Sequence, residues 1–293
     1  MTGEKEIKPL WTPLKIIQWA VPYLGEKGIP NARFDVETLI AFALKIDRLK
    51  VYLQFDRPLD GSELSVIREL LKRRSQNVPI QYLTGKREFY GLTFKVSPDV
   101  LIPRPETEQV VEEAIQYLKG IPEEKRLVLD LGTGSGCIAL SIAKNVPCRI
   151  WAVDISEKAL IIAAENAQAL SVEEAVRWRN GDWFSALNSK DPDQFQVIVS
   201  NPPYISLNET RDLPSEVRDF EPPEALFGGE TGLNAYKELA QNMNKRLILG
   251  GIALIEIHPH RQNAISELFK SPDLKETLCR DLQGLPRVLK LEK

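Results

Sequence analysis

Leu127-Val128-Leu129-Asp130-Leu131-Gly132-Thr133-Gly134-Ser135-Gly136 is the stretch that decides the fold. Its first five residues form an apolar strand. A glycine loop closes that strand, and a helix-like run follows from Cys137 through Ala143. Strand, glycine loop and helix make the nucleotide-binding turn of a doubly wound α/β fold. Glycine lets the backbone approach a ligand closely and adopt positive φ. The dinucleotide fingerprint would put its third glycine at 137, where this chain has Cys137, so the spacing here is Gly-x-Gly-x-Gly. Tight turns without a ligand share that pattern, and the flanking residues must decide.

Downstream, Arg149-Ile150-Trp151-Ala152-Val153 reads as the next strand and ends at Asp154. An acidic residue about twenty positions past the glycine loop can accept both hydroxyls of a ribose. Asp154 could instead cap the following helix, but Ser156 fills that role better. A further strand-like run, Ala175-Val176-Arg177-Trp178, leads to Gly181-Asp182-Trp183-Phe184. There Asp182 can bond an amino group of a base and Trp183 can line its site. The bland alternative is a Gly-Asp turn beside a core tryptophan.

The run Phe195, Val197, Ile198, Val199 is a buried strand that stops at Ser200-Asn201-Pro202-Pro203-Tyr204. Two consecutive prolines cannot continue a ladder, and they stiffen their neighbours. The product is a rigid loop at a strand's C-terminal end, where open α/β sheets bind ligands. Asn201 and the loop carbonyls suit the acceptance of hydrogen bonds from a planar NH2 group, which points to chemistry on an amide or amino nitrogen.

Residues up to about 78 read as short helices. One stripe holds Ile16, Ile17, Trp19, Ala20, Tyr23 and Leu24; a second holds Val36, Leu39, Ile40, Ala43 and Leu44; a third holds Ile67, Leu70 and Leu71. They predict a small helical bundle over residues 1–86. Glu88 to Val96 reads as a β-hairpin, so that 87–105 is a linking segment. From Glu106 to residue 293 helix and strand alternate, implying a mostly parallel sheet covered on both faces.

The chain of 293 residues is long enough for one large and one smaller domain. No apolar run is long enough to span a membrane, and the charged start Met1-Thr2-Gly3-Glu4-Lys5-Glu6 leads into no signal-peptide core. Cys137, Cys148 and Cys279 have neither metal nor disulfide spacing, which fits a reducing, cytoplasmic compartment. His258 and His260 are the only histidines, with no third ligand in view, and no metal is expected. Residues 1–88 carry 15 Lys and Arg against 11 Asp and Glu, and the remainder 23 against 30. An acidic second half argues against a large DNA groove, and no stable nucleic-acid partner is expected. The cluster Arg68, Lys72, Arg73, Arg74 could face a partner, but a solvated helix face is the plainer reading.

In this order, Gly-x-Gly-x-Gly, the strand-end Asp154, Gly181-Asp182-Trp183 and Asn201-Pro202-Pro203-Tyr204 resemble a class I S-adenosylmethionine-dependent methyltransferase. Leu101-Ile102-Pro103-Arg104-Pro105-Glu106-Thr107-Glu108 narrows the likeness to the PrmC/HemK family, which contains the N(5)-glutamine methyltransferases of peptide chain release factors. Phe220 to Gly229, Gly232-Leu233, Tyr82-Leu83-Thr84-Gly85, and Asp281-Leu282-Gln283-Gly284 with Arg287 also resemble it. The likeness covers nearly everything after residue 78; before that it extends to length and helical character. One departure is His258, where the family pattern expects Gly, and it leaves the catalytic assignment untouched.

The resemblance implies a Rossmann-like domain with a seven-stranded, mostly parallel sheet. It implies S-adenosyl-L-methionine as cofactor, with S-adenosyl-L-homocysteine as product, held by Gly132, Thr133, Gly134, Ser135, Gly136, Asp154, Asp182, Trp183 and Asn201. Its substrate would be the glutamine of the Gly-Gly-Gln loop of class-1 release factors, with the helical part docking the factor and Pro103 to Glu106 bordering the pocket; a monomer is expected, though the sequence itself does not decide the oligomeric state. An amide nitrogen is a poor nucleophile because its lone pair is delocalised into the carbonyl. The Asn201 side-chain oxygen and the Pro202 carbonyl would accept its two N–H bonds and hold it in line for transfer. Pro203 stiffens the loop, and Tyr204 would pack beside the amide. Two other classes remain open. A DNA or RNA amino-methyltransferase would stack a flipped base on Tyr204, and a binding module would keep the fold without activity.

Overall fold

The computed structural model describes residues 10–281 and 283–293. The charged start and Leu282 of the Asp281–Gly284 motif lie outside the described residues. The chain divides into two compact units, with the boundary between Gly85 and Lys86.

Among the described residues the first unit holds five helices: α1 (Pro13–Glu26), α2 (Ala32–Leu44), α3 (Arg48–Tyr52), α4 (Gly61–Arg74) and α5 (Ile80–Thr84). Thr12 caps α1 through the amide of Lys15, and Asp60 with Glu63 forms a capping box on α4. Ile16, Ala20 and Leu24 of α1 bury together with Val36, Leu39 and Ile40 of α2 and Ile67, Leu70 and Leu71 of α4. Trp19 departs from the expected stripe. It is 52% exposed and stacks on Tyr23, with ring centroids 5.2 Å apart. Positions 19 and 23 form their own i, i+4 column, rotated off the column of 16, 20 and 24. Arg74 also departs from its expected solvated face: it is buried and pairs with the Asp35 carboxylate at 2.7 Å.

The second unit opens with the hairpin β1 (Lys86–Phe89) and β2 (Leu92–Lys95). Its turn residues Tyr90 and Gly91 both have positive φ, 50° and 71°, as a two-residue type I′ turn requires. Phe89 and Phe94 meet edge to face and bury against Val110, Val111 and Ala114 of α6 (Glu108–Lys119). The segment expected as a link is therefore part of this unit's core.

Seven strands form the sheet: β3 (Leu127–Leu131), β4 (Arg149–Asp154), β5 (Val176–Asn180), β6 (Phe195–Ser200), β7 (Leu247–Glu256), β8 (Lys275–Arg280) and β9 (Pro286–Glu292). Their order is β5-β4-β3-β6-β7-β9-β8. Strands β3 to β7 are parallel, and β9 pairs antiparallel with both β7 and β8. This is the mostly parallel seven-stranded sheet that the sequence resemblance implied. Strand β6 is buried at every position, as a central parallel strand covered on both faces must be. The helices α6, α7 (Cys137–Asn145) and α8 (Glu157–Leu170) cover one face. The short helices α9 (Ser215–Arg218) and α10 (Pro223–Leu226) follow β6, and α11 (Asn234–Arg246) and α12 (Gln262–Phe269) cover the other face. The strand order reverses between β3 and β6. That is the switch point where the loops leaving two neighbouring strands part in opposite directions and open a crevice.

Candidate active site

A cavity of about 380 Å³ occupies this crevice, within the range of small-ligand sites. Gly132, Thr133, Gly134 and Ser135 line it from the loop after β3, Asp154 from the end of β4, Asp182 and Trp183 after β5, and Asn201 and Pro203 after β6. Most of the residues singled out from the sequence thus converge on one space. Gly136, Pro202 and Tyr204 are not among its lining residues.

The loop after β3 has the shape of a cradle. Gly132, Gly134 and Gly136 have φ of 76°, 55° and 80°, a region closed to most side chains. Gly136 stands behind the cradle: a Cβ there would lie 2.9 Å from Leu140 Cδ1 and 3.2 Å from Ala163 Cβ, so its smallness lets the loop sit on α7 and α8. The fully buried Asp130 accepts the Thr133 hydroxyl at 2.7 Å, and burial pushes its carboxyl up to about 7. Asn166 of α8 donates to the carbonyls of Ser135 and Lys95, which fastens the far side of the loop.

At the end of β4 the Asp154 carboxylate accepts the Gly134 amide at 2.7 Å and the Ser156 amide at 2.9 Å. Burial raises its pKa, and these two N–H donors oppose the rise. Ser156 is the N-cap of α8, accepting from Ala159. Asp154 therefore lines the cavity while bracing the cradle. The Trp183 ring reaches within 3.7 Å of the place a Gly132 Cβ would occupy, and Trp183 itself adopts φ 43°. A bulky residue in the left-handed region is a strained arrangement.

The loop after β6 is held from behind by backbone. Gly228 N–H donates to the Ile205 carbonyl, and Ile205 N–H to the Leu226 carbonyl. A Cβ on Gly228 would come within 2.5 Å of the Pro203 carbonyl oxygen, and one on Gly232 within 2.3 Å of that of Tyr204. Arg104 donates to Glu221 at 2.6 Å and Ile102 N–H to the same carboxylate at 3.3 Å. These bonds join the Leu101–Thr107 and Phe220–Gly229 segments, and both contribute residues to the lining of the cavity.

Asn201 donates from Nδ2 to Thr107 Oγ1 at 3.1 Å, and Thr107 Oγ1 donates to Glu256 Oε2 at 2.6 Å. Among the described residues no donor bonds the Asn201 side-chain oxygen or the Pro202 carbonyl. Glu256 is buried, and that burial pushes its carboxyl up to about 7. The Tyr204 ring packs against His258, with centroids 5.6 Å apart, and burial pushes its phenol well up. His258, the departure from the family pattern, thus touches the loop that the sequence reading kept separate from it. Thr107 and Glu256 carried no assigned role in that reading. The only sequence signal for Glu256 is a lone carboxylate ending the apolar run Ile252 to Ile255.

A sheet of this order with a glycine cradle and an amide-bearing loop at its switch point defines an α/β methyltransferase of class I. A methyltransferase small domain model matches residues 112–215, and a PrmC N-terminal domain model matches residues 15–85. The catalytic domain of hMettl16, solved with an RNA hairpin, has a similar fold (TM-score 0.51, 14% identity, 76% of this chain and 80% of that one). Among curated relatives, the release factor glutamine methyltransferase of Rhodopirellula baltica is 39% identical over 97% of both chains. That of Geobacter sulfurreducens is 38% identical over 99% of this chain and 98% of its own, and that of Koribacter versatilis 41% over 92% and 94%. The chain belongs to the release factor glutamine methyltransferase family.

Proposed function

We propose that this protein methylates the side-chain amide nitrogen of the glutamine in the Gly-Gly-Gln loop of class-1 peptide chain release factors. The observation that carries the reading is the Asn201 carboxamide, whose nitrogen is tied to Thr107 and whose oxygen is left open beside the cavity. S-adenosyl-L-methionine, when bound, supplies a methyl group activated by a positive sulfur. The glycine cradle, Asp154, Asp182 and Trp183 fit such a ligand: positive-φ glycines admit its close approach, and a carboxylate at the end of β4 suits ribose hydroxyls.

Asn201 Oδ1 and the Pro202 carbonyl accept the two N–H bonds of the substrate amide. They favour positive charge developing on that nitrogen and fix its direction of attack. Pro203 and the backbone of Gly228 keep these acceptors in place before the substrate arrives, so little reorganisation is needed. Tyr204, braced by His258, borders the amide. The helical unit docks the body of the release factor, a role suited to its exposed Phe34, Leu49 and Leu53.

The test is transfer of labelled methyl from S-adenosyl-L-methionine to purified release factor, beside a variant factor whose Gly-Gly-Gln glutamine is alanine. Duplex DNA and ribosomal RNA are run in parallel. Label on the wild-type factor alone is the expected result. Label on nucleic acid with the factor blank would overturn the substrate assignment.

A further inference from the structure

We propose that Thr107 and Glu256 are positioning residues that fix which end of the Asn201 carboxamide faces the cavity. The inference deepens the reading that Asn201 accepts hydrogen bonds from the substrate amide. The two ends of a carboxamide are nearly the same size, and a half-turn exchanges an acceptor for a donor. Turned that way, Asn201 would present N–H to the N–H of the substrate and repel it.

The hydroxyl of Thr107 prevents the half-turn. It carries one proton and two lone pairs. With Glu256 ionised its carboxylate can only accept, so the Thr107 proton goes to Oε2 at 2.6 Å, and the lone pairs left toward Asn201 are met by the Nδ2 end, at 3.1 Å. Thr107 and Glu256 are 1% and 3% exposed, so solvent cannot easily substitute for either partner. Thr107 also occupies the N-cap position of α6, where a threonine hydroxyl ordinarily accepts a helix amide. Here it makes no capping bond. Its hydroxyl serves Asn201 and Glu256 instead, which a purely structural cap would not explain. The three residues come from the segment before α6, the loop after β6 and the end of β7.

Two readouts test this, one of them independent of substrate. In protein with isotope-labelled asparagine, the Asn201 side-chain amide is identified by its absence in Asn201→Ala. The expected spectrum shows one Asn201 amide proton protected from exchange; that protection is lost in Thr107→Val and kept in Thr107→Ser. An Asn201 signal unchanged by Thr107→Val would overturn the proposal. In methyl transfer, Thr107→Val lowers kcat about tenfold or more, as expected for losing one such bond, and Thr107→Ser restores most of it. Calorimetric affinity for S-adenosyl-L-methionine should stay within about threefold throughout, which also shows that the variants fold. A fall in affinity matching the fall in rate would mark Thr107 as cavity wall alone and overturn the proposal. Should the wild-type protein leave the release factor unlabelled, the substrate reading fails while the amide signal still decides the role of Thr107.

Discussion

The Arg104 guanidinium lies 2.6 Å from the Glu221 carboxylate, 117 residues away, and the carboxylate side chain is 2% exposed. This pair fastens the segment before α6 to the segment that follows β6, and both line the cavity. Burial raises the pKa of Glu221 and Arg104 opposes that rise. Arg104→Ala should cost about 1–3 kcal/mol, below the figure for a fully buried pair because the arginine is partly exposed. Without Arg104 the Glu221 pKa climbs further, so the folded state holds its proton more tightly. The deficit is then largest at pH 8 and shrinks as pH falls through the carboxylate range. Urea midpoints of both proteins at pH 5 and pH 8 check this; an equal deficit at both would exclude a charge effect.

Asn201→Ala removes the proposed acceptor without touching the glycine cradle. Turnover should fall by about a hundredfold or more, the scale of losing one preorganised transition-state hydrogen bond. Cofactor affinity should change far less. Turnover within about threefold of wild type would remove Asn201 from the acceptor role.

Asp154 both lines the cavity and accepts the amides of Gly134 and Ser156. Asp154→Ala should weaken S-adenosyl-L-methionine binding at least about tenfold, since the proposed ribose acceptor and the brace of the cradle go together. Calorimetric titration reads this directly, and unchanged affinity would exclude the ribose site.

Gly228 is a steric device. Its added Cβ would meet the Pro203 carbonyl at 2.5 Å and the Gly232 backbone at 2.9 Å. Backbone on both sides has nowhere to move except into the acceptor loop. Gly228→Ala should therefore cut kcat about tenfold or more while leaving cofactor affinity nearly intact. Wild-type kcat would mean that the loop tolerates displacement.

Glu256 gives a stability prediction with a definite sign. Its usual value of 4.5 is pushed up to about 7 by burial, with Thr107 opposing and Glu106 adding to the rise. Between those values the folded state binds more protons than the unfolded one, so this group's contribution to stability falls as pH rises through that window. Gln does not titrate. Glu256→Gln should gain on wild type by about 2–3 kcal/mol between pH 4.5 and pH 8, read from urea midpoints. A difference independent of pH would show that Glu256 does not titrate there.

Much of the site was legible because its signals are local. A glycine loop after an apolar strand, an aspartate at the next strand's end, and two prolines after an asparagine each act within a few residues of themselves. Thr107 and Glu256 left no such trace. A single threonine and a single strand-end glutamate have no spacing that distinguishes a hydrogen-bonded role from a chance position. Gly228 and Gly232 stood inside a recognised motif, yet the reason for them is a backbone approach to Pro203 and Tyr204 that sequence does not express. Trp19 shows the same limit for packing: helical periodicity found its stripe but not the angle at which that stripe meets the neighbouring helix.

By itself the sequence determined the parallel α/β unit, the place of the glycine cradle and the amide-bearing loop, because hydrophobic period, glycine conformation and proline rigidity act along the chain. Only the tertiary structure decided that the Asn201 amide nitrogen meets Thr107, that Arg104 and Glu221 join two segments far apart in sequence, and that Arg74 turns inward to Asp35. Those outcomes depend on hydrogen bonds and charge pairs between residues far apart in sequence, whose energies exist only once the sheet and helices have brought them together.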